Sequence, residues 1–147
     1  MVILIVDDVA FMRKIVIDMM VQHFHINRDS IHETNNGKNA VRDYKQLRPN
    51  IVFLDVLMPD QNGPETVAEI IEIDPDAYIV MCTSAKERAT VRECVKAGAK
   101  DYIIKPIDPK RLRVALEKGG YVFNAILPEP RKADKNTGLE KVEGEKY

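Results

Sequence analysis

The chain of 147 residues carries a net charge of −1, with 45% hydrophobic and 31% charged residues. This balance predicts one globular domain with a tail, and it gives no basis for direct binding of nucleic acid or an anionic membrane. Two cysteines do not suggest a secreted disulfide framework, and no apolar stretch approaches the roughly 20 residues of a membrane span, so we expect reduced thiols and a cytoplasmic location.

Short apolar runs alternate with segments of helical periodicity, which predicts five strand–helix units. In chain order, we expect strands at residues 2–6, 30–34, 51–54, 78–82 and 102–104. We expect helices at 11–20, at 38–47, from 64 to the break at 74–76, at 88–97, and from an opening at 108–109. Because the strands are continuous apolar runs, helices should cover both faces of the sheet. The prediction is an α/β fold with a doubly wound, five-stranded parallel sheet.

The end of the chain differs from this domain in composition. Residues 128–147 hold five acidic, five basic and only four apolar residues, which is too little apolar surface to offset the entropy of ordering. The apolar segment 119–127 before them is expected to form an extra helical turn on the domain or a docking segment. The predicted division is therefore a domain at 1–118, an apolar extension at 119–127 and a charged, disordered tail at 128–147.

Charged and hydroxyl side chains follow the carboxyl ends of the predicted strands. Asp7 and Asp8 follow the first strand, Asp55 the third, Thr83 the fourth and Lys105 the fifth. Open α/β sheets bind ligands at this edge, so these residues are expected to meet there. Three clustered carboxylates repel one another unless a cation offsets them, and hard oxygen ligands suit Mg²⁺. One of the acids could then act as a nucleophile towards a phosphoryl group, with the lysine and the hydroxyl contacting its oxygens.

This pattern resembles the receiver domains of two-component response regulators, including the single-domain chemotaxis type. The similarity covers roughly residues 1–118, and the fold it implies is flavodoxin-like. The residues that carry it are Asp7-Asp8, Asp55 with Pro59 four positions later, Thr83, and Lys105-Pro106 preceded by Tyr102. Each motif alone is weak, but all of them at the correct strand ends and in the correct order form a specific signal.

The resemblance implies a role for each of these residues. Asp55 would accept the phosphoryl group, assisted by Thr83 and Lys105. Thr83 and Tyr102 would form a switch that reshapes the surface of the fourth helix, fifth strand and fifth helix. The implied ligands of Mg²⁺ are Asp8, Asp55, the backbone carbonyl of Leu57 and, through water, Asp7.

The implied partners follow from the same resemblance. A sensor histidine kinase or a histidine phosphotransfer protein would supply the phosphoryl group, and a downstream target protein would bind the reshaped surface. A phosphorylation-dependent dimer is also compatible with the family. The alternative function is that of a phosphorelay intermediate, which passes its phosphoryl group on to a histidine protein.

Three rival classes share parts of the pattern. A flavodoxin-like cofactor binder would carry a Ser/Thr/Gly-rich phosphate loop after the first strand, where Asp7-Asp8 would instead repel phosphate. An aspartate-nucleophile phosphatase would place an acid two residues after its nucleophile, where Leu57 stands. We therefore expect slow self-dephosphorylation rather than turnover catalysis. A degenerate receiver used as a scaffold would lack the complete set of site residues.

Plainer structural roles are open for several of these residues. Asp7 and Asp8 could cap the first helix, Lys105 could be a solvated surface lysine, and Tyr102 could be an ordinary core residue.

The resemblance also bears on the lifetime of a phosphorylated state. Leu57 and Ala85 stand two residues after Asp55 and Thr83, and by resemblance they flank the path of the attacking water. Hydrolysis needs an in-line water, and Leu57 has no group that could hold one. A comparatively long-lived aspartyl phosphate is therefore expected.

Overall fold

The computed structural model describes residues 1–123. Within that range, strands and α-helices alternate strictly, and single turns of 3₁₀ helix precede the second strand (Arg28–Ser30) and the fourth helix (Ala85–Glu87). In chain order the elements are β1 Ile3–Val6, α1 Ala10–Phe24, β2 Ile31–Thr34, α2 Gly37–Leu47, β3 Ile51–Asp55, α3 Gly63–Ile73, β4 Ile79–Thr83, α4 Arg88–Ala97, β5 Asp101–Ile104 and α5 Pro109–Lys118.

The five strands form one parallel sheet in the order β2-β1-β3-β4-β5, which confirms the predicted doubly wound α/β fold. Val6 of β1 pairs with Leu54 of β3, and Asp55 pairs with Cys82 of β4. The residues that follow these strands therefore share the carboxyl edge of the sheet. No helix among the described residues is long and apolar enough to cross a membrane.

Helix boundaries follow local capping signals. The side chains of Asn36, Asn62 and Asp108 accept hydrogen bonds from backbone N–H groups in the first turns of α2, α3 and α5, and each such cap contributes about 1 kcal/mol to stability. At the end of α4, Gly98 has φ 128°, a conformation that only glycine adopts without strain. The predicted opening of the last helix at 108–109 is thus confirmed.

Two hydrophobic clusters lie on opposite faces of the sheet. Alternate residues of a strand point to opposite faces. Ile3 therefore belongs to the cluster that includes residues of α1 and α5, and its neighbour Leu4 to the cluster that includes residues of α2, α3 and α4. Each fully buried side chain of this size contributes about 1.5–3 kcal/mol. The free thiols Cys82 and Cys94 are buried in different clusters, so the sheet separates them and they cannot form a disulfide in the folded protein.

β5 departs from the prediction that helices cover both faces of every strand. Tyr102 and Ile104 are 46% and 45% exposed, while Ile103 between them is buried. Among residues 1–123, β5 is an edge strand that pairs only with β4. Its outer face borders an open groove against α4. The interpretation of Tyr102 as a core residue is therefore wrong. Tyrosine and isoleucine favour strands in either environment, so their exposure could not be inferred from an apolar run.

The described part of the apolar extension, residues 119–123, packs on the domain. A turn at Gly119 and Gly120 is followed by irregular chain, without a helix in these five residues. The Phe123 ring meets the Phe24 ring edge-on at a centroid distance of 5.4 Å, and the Arg113 guanidinium lies 4.2 Å from the centre of the Phe123 ring. Residues 124–127 and the charged tail at 128–147 lie outside the described residues.

Replacing Phe123 with alanine is expected to lower the free energy of unfolding by about 2 kcal/mol, because it removes a partly buried ring with an aromatic and a cation–π partner. Val122→Ala is the matched control, since the neighbouring Val122 is 83% exposed and its change should stay within about 0.5 kcal/mol. Urea unfolding of both variants measures the difference. Equal losses would contradict the docked position of Phe123.

Candidate functional site

Three carboxylates meet at the carboxyl edge of the sheet. Asp7 and Asp8 directly follow β1, and Asp55 is the last residue of β3. One oxygen from each side chain lies within 4.8 Å of the others. Asp7 is buried, Asp55 is partly buried and Asp8 is exposed, so the cluster is open to solvent on the side of Asp8. The sheet therefore brings Asp55 together with an acidic pair that lies 47 and 48 positions earlier in the chain.

Lys105 reaches the same cluster from the end of β5, where it precedes a cis bond to Pro106. Its Nζ lies 3.3 Å from Asp7 Oδ2 and 3.4 Å from Asp55 Oδ1. Burial lowers the pKa of Lys105, but the Asp55 and Asp7 carboxylates raise it by more, so the net shift is upward and the amine stays protonated. Lys105 thus contacts two carboxylates of the cluster and is not a solvated surface lysine.

The electrostatics of the cluster favour an added cation. Burial raises the pKa of Asp55 to about 6; the Lys105 ammonium opposes this shift, and the Asp7 and Asp8 carboxylates add to it. Three ionised carboxylates and one ammonium leave a formal charge of −2. Clustered carboxylate oxygens with access to solvent are the ligands that Mg²⁺ prefers in proteins. The residues present therefore fit a magnesium ion.

The acidic pair does not cap α1. The N-cap residue of α1 is Val9, and no side chain caps it. Asp7 Oδ1 instead accepts a hydrogen bond from the Val9 N–H at 2.9 Å, which orients the carboxylate before the helix begins. The capping interpretation of Asp7 and Asp8 is therefore wrong, and their carboxylates face the cluster.

Thr83 lies at the same edge, and its hydroxyl has hydrogen-bond partners outside the acidic cluster. Its Oγ lies 3.0 Å from both the Ser84 carbonyl oxygen and Glu87 Oε1. The exposed Tyr102 side chain and Thr83 both border the groove of about 590 Å³ between α4 and β5. Sequence reasoning missed Glu87, although Ser84 followed three residues later by Glu87 is a capping-box pattern that could have identified it.

The loop between β3 and α3 carries the predicted Leu57 and is fixed by a residue that sequence reasoning missed. Leu57 is 53% exposed, and Ala85, two residues after Thr83, is exposed as well. Asp60 accepts hydrogen bonds from the backbone N–H groups of Gly37 and Lys38, both at 3.0 Å. The loop that follows Asp55 is therefore held against the N-terminus of α2.

Known proteins share both the sequence and the fold. The family model of the response regulator receiver domain matches residues 3–117. Chemotaxis protein CheY of Thermotoga maritima is 44% identical over 116 residues, which cover 79% of this chain and 94% of that protein. CheY of Bacillus subtilis is 39% identical over the same shares of both chains.

A solved structure supports the same assignment. In the crystal structure of the CheX-CheY-BeF₃-Mg²⁺ complex from Borrelia burgdorferi, the matched chain is 30% identical, with a TM-score of 0.70 over 79% of this chain and 86% of that chain. The parallel sheet, the acidic edge and these similarities agree. The chain belongs to the family of response regulator receiver domains, the CheY-like signalling modules of two-component systems.

Proposed function

We propose that the protein is a phosphorylation-operated switch in which Asp55 accepts a phosphoryl group. The observation that carries the proposal is the convergence of Asp7, Asp8 and Asp55 within 4.8 Å, with the Lys105 ammonium in contact with two of them. A nucleophilic carboxylate, neighbouring acids for a divalent cation and a fixed ammonium are the parts that phosphoryl transfer to an aspartate requires.

The Asp55 carboxylate performs the covalent step. One of its oxygens attacks the phosphorus of the donor, and the bond between phosphorus and the donor oxygen or nitrogen breaks. The electron pair of that bond leaves with the donor. With a pKa of about 6, Asp55 is ionised at neutral pH and able to attack. Lys105, held by Asp7 and Asp55, presents its ammonium to the oxygens of the incoming group.

The acids supply the cation site for this step. Asp8, Asp55 and the backbone carbonyl of Leu57 would hold Mg²⁺, with Asp7 acting through water. When bound, Mg²⁺ neutralises charge on the phosphoryl oxygens. The Asp60 contact with α2 keeps the loop of Leu57 in place for this role.

The output is a change at the groove between α4 and β5. A phosphoryl group on Asp55 draws the Thr83 hydroxyl towards it. The Tyr102 side chain, which is exposed in the unphosphorylated protein, then turns into the space that Thr83 leaves. This alters the surface of α4, β5 and α5, which we assign to a downstream target. By analogy with its relatives, the phosphodonor is a histidine kinase or a histidine phosphotransfer protein, and the chain is a signalling protein rather than a turnover enzyme.

The proposal is tested by incubating the protein with acetyl phosphate and following its intact mass. With Mg²⁺, the mass should rise by one phosphoryl group, and peptide mapping should place that group on Asp55. A chelator of divalent cations should prevent the gain, because the repulsion within the cluster is then not offset. Phosphorylation that proceeds equally with the chelator, or at another residue, would contradict the proposal.

Leu57→Asn is expected to accelerate loss of the phosphoryl group about tenfold, which corresponds to about 1.4 kcal/mol of barrier. The exposed Leu57 side chain shields the phosphoryl face, whereas an amide could hold an attacking water by a hydrogen bond. The decay of phosphoprotein after donor removal measures the effect. Leu57→Met, which is also apolar, should decay like the wild type. A long lifetime would suit slow regulation or a relay, and equal decay of Leu57→Asn would show that Leu57 does not gate water.

A further inference from the structure

Glu87 makes two hydrogen bonds through one carboxylate oxygen. Its Oε1 accepts from the Thr83 hydroxyl at 3.0 Å and from the Ser84 N–H at 3.2 Å. Thr83 is only 2% exposed, so its hydroxyl has little access to water and depends on its protein partners. The hydroxyl that the proposed switch would use is therefore already engaged in the unphosphorylated protein.

The Thr83 hydroxyl has one proton to donate. Glu87 Oε1 and the Ser84 carbonyl oxygen are both within reach of that proton, and an ionised carboxylate is the stronger acceptor. A phosphoryl group on Asp55 would compete for the same proton. Movement of the hydroxyl towards Asp55 must therefore break the contact with Glu87.

We infer that Glu87 is a positioning residue that holds Thr83 in the unphosphorylated arrangement and sets how readily the switch responds. This inference rests on the proposed function of Asp55 and Thr83. The hydrogen bond between Thr83 and Glu87 opposes activation, and a phosphoryl group or its mimic must break it.

Glu87 also connects the switch to α4. Its bond to the Ser84 N–H, together with the bond from the Lys86 N–H to Ser84 Oγ at 3.3 Å, caps the 3₁₀ turn Ala85–Glu87. α4 begins at the next residue, Arg88, which borders the groove beside Tyr102. Withdrawal of Thr83 removes one of the two donors to Glu87 Oε1. The change at the phosphorylation site thereby reaches the start of α4 through this carboxylate.

The inference is tested with beryllofluoride in the presence of Mg²⁺. Beryllofluoride bound to a carboxylate mimics a phosphoryl group. Glu87→Ala should lower the half-saturating concentration of beryllofluoride about fivefold, the scale of one net hydrogen bond. Glu87→Gln keeps an oxygen acceptor but loses the charge, so its value should fall between those of Glu87→Ala and the wild type. Ser84→Ala weakens the same cap without removing the Thr83–Glu87 contact, and it should bind like the wild type.

A double-mutant cycle separates this role from a general effect on the fold. In a Thr83→Ala background, Glu87→Ala should leave the half-saturating concentration unchanged, since the contact is already absent. The inference is overturned if Glu87→Ala has the same effect in both backgrounds, if it raises the half-saturating concentration, or if Ser84→Ala reproduces the gain.

A second readout does not depend on phosphorylation chemistry. Three-bond NMR couplings to the Thr83 methyl carbon report its side-chain rotamer in the protein without beryllofluoride. The wild type should show one rotamer, and Glu87→Ala should show averaged couplings. Unchanged couplings would overturn the role of Glu87 even if the wild type binds beryllofluoride. If the wild type failed to bind beryllofluoride while Glu87→Ala showed averaged couplings, the proposed function would be overturned. The contact by which Glu87 positions Thr83 would still be supported.

Discussion

Replacing Asp55 with alanine is expected to abolish the gain of one phosphoryl group from acetyl phosphate. Asp7 and Asp8 remain in this variant, but Asp7 is buried against Lys105 and the Val9 N–H, and Asp8 is exposed to water. Neither is expected to replace Asp55, because phosphoryl transfer requires the nucleophile to be in line with the leaving group. Intact mass after incubation with donor and Mg²⁺ gives the result.

A control variant distinguishes the loss of the nucleophile from the loss of any carboxylate. Asp29 is exposed in the 3₁₀ turn before β2, at the amino end of the strands and away from the acidic edge. Asp29→Ala should gain the phosphoryl group at the wild-type rate. A mass gain in Asp55→Ala equal to that of Asp29→Ala would exclude Asp55 as the acceptor.

Lys105→Ala should slow phosphorylation of Asp55 on the order of a hundredfold, the usual effect of removing one preorganised charged donor from a reacting group. The ammonium touches both Asp7 and Asp55 and is partly buried. Water that fills its place in the variant would therefore interact more weakly with the phosphoryl oxygens than the ammonium does. Removing it also leaves Asp7 and Asp55 without their contacting cation, which raises the barrier to an anionic donor. The initial rate of mass gain measures the effect.

Lys14→Ala is the matched control for this change. Lys14 forms an exposed ion pair with Asp18 in the middle of α1, and exposed pairs contribute little to stability. Its phosphorylation rate should equal that of the wild type. If Lys105→Ala reacted as fast as Lys14→Ala, the ammonium would have no part in the transfer.

The fold and the acidic edge were predictable because both depend on local sequence signals. An apolar run that ends in a charged residue locates the carboxyl end of a strand, and parallel pairing then places Asp7, Asp55 and Lys105 at one edge. The boundaries of the predicted strands and helices needed adjustment by a few residues. Caps such as Asp108 act within one turn of the chain and can be read directly from the sequence.

The exposed face of β5, the direction of the Thr83 hydroxyl and the packing of Phe123 were not predictable in the same way. Each depends on which part of the chain, distant in sequence, packs next to the residue in the folded protein. Tyr102 is exposed because α4 leaves a groove beside it, and Thr83 turns to Glu87 because the 3₁₀ turn brings that carboxylate back to β4. Phe123 packs because Phe24, 99 positions earlier, ends α1 at the same place. Periodicity carries no information on such long-range pairings.

The position of Phe123 has a practical consequence for attaching reporters to this protein. α1 begins next to the acidic edge and runs 15 residues to Phe24, a length of about 22 Å. Because Phe123 packs against Phe24, residue 123 lies at the far end of that helix. A fluorescent protein or an immobilisation tag joined after residue 123 would therefore leave the acidic edge open to a phosphodonor. It would also give single-molecule or surface-binding experiments an anchor that is fixed to the domain and remote from the chemistry.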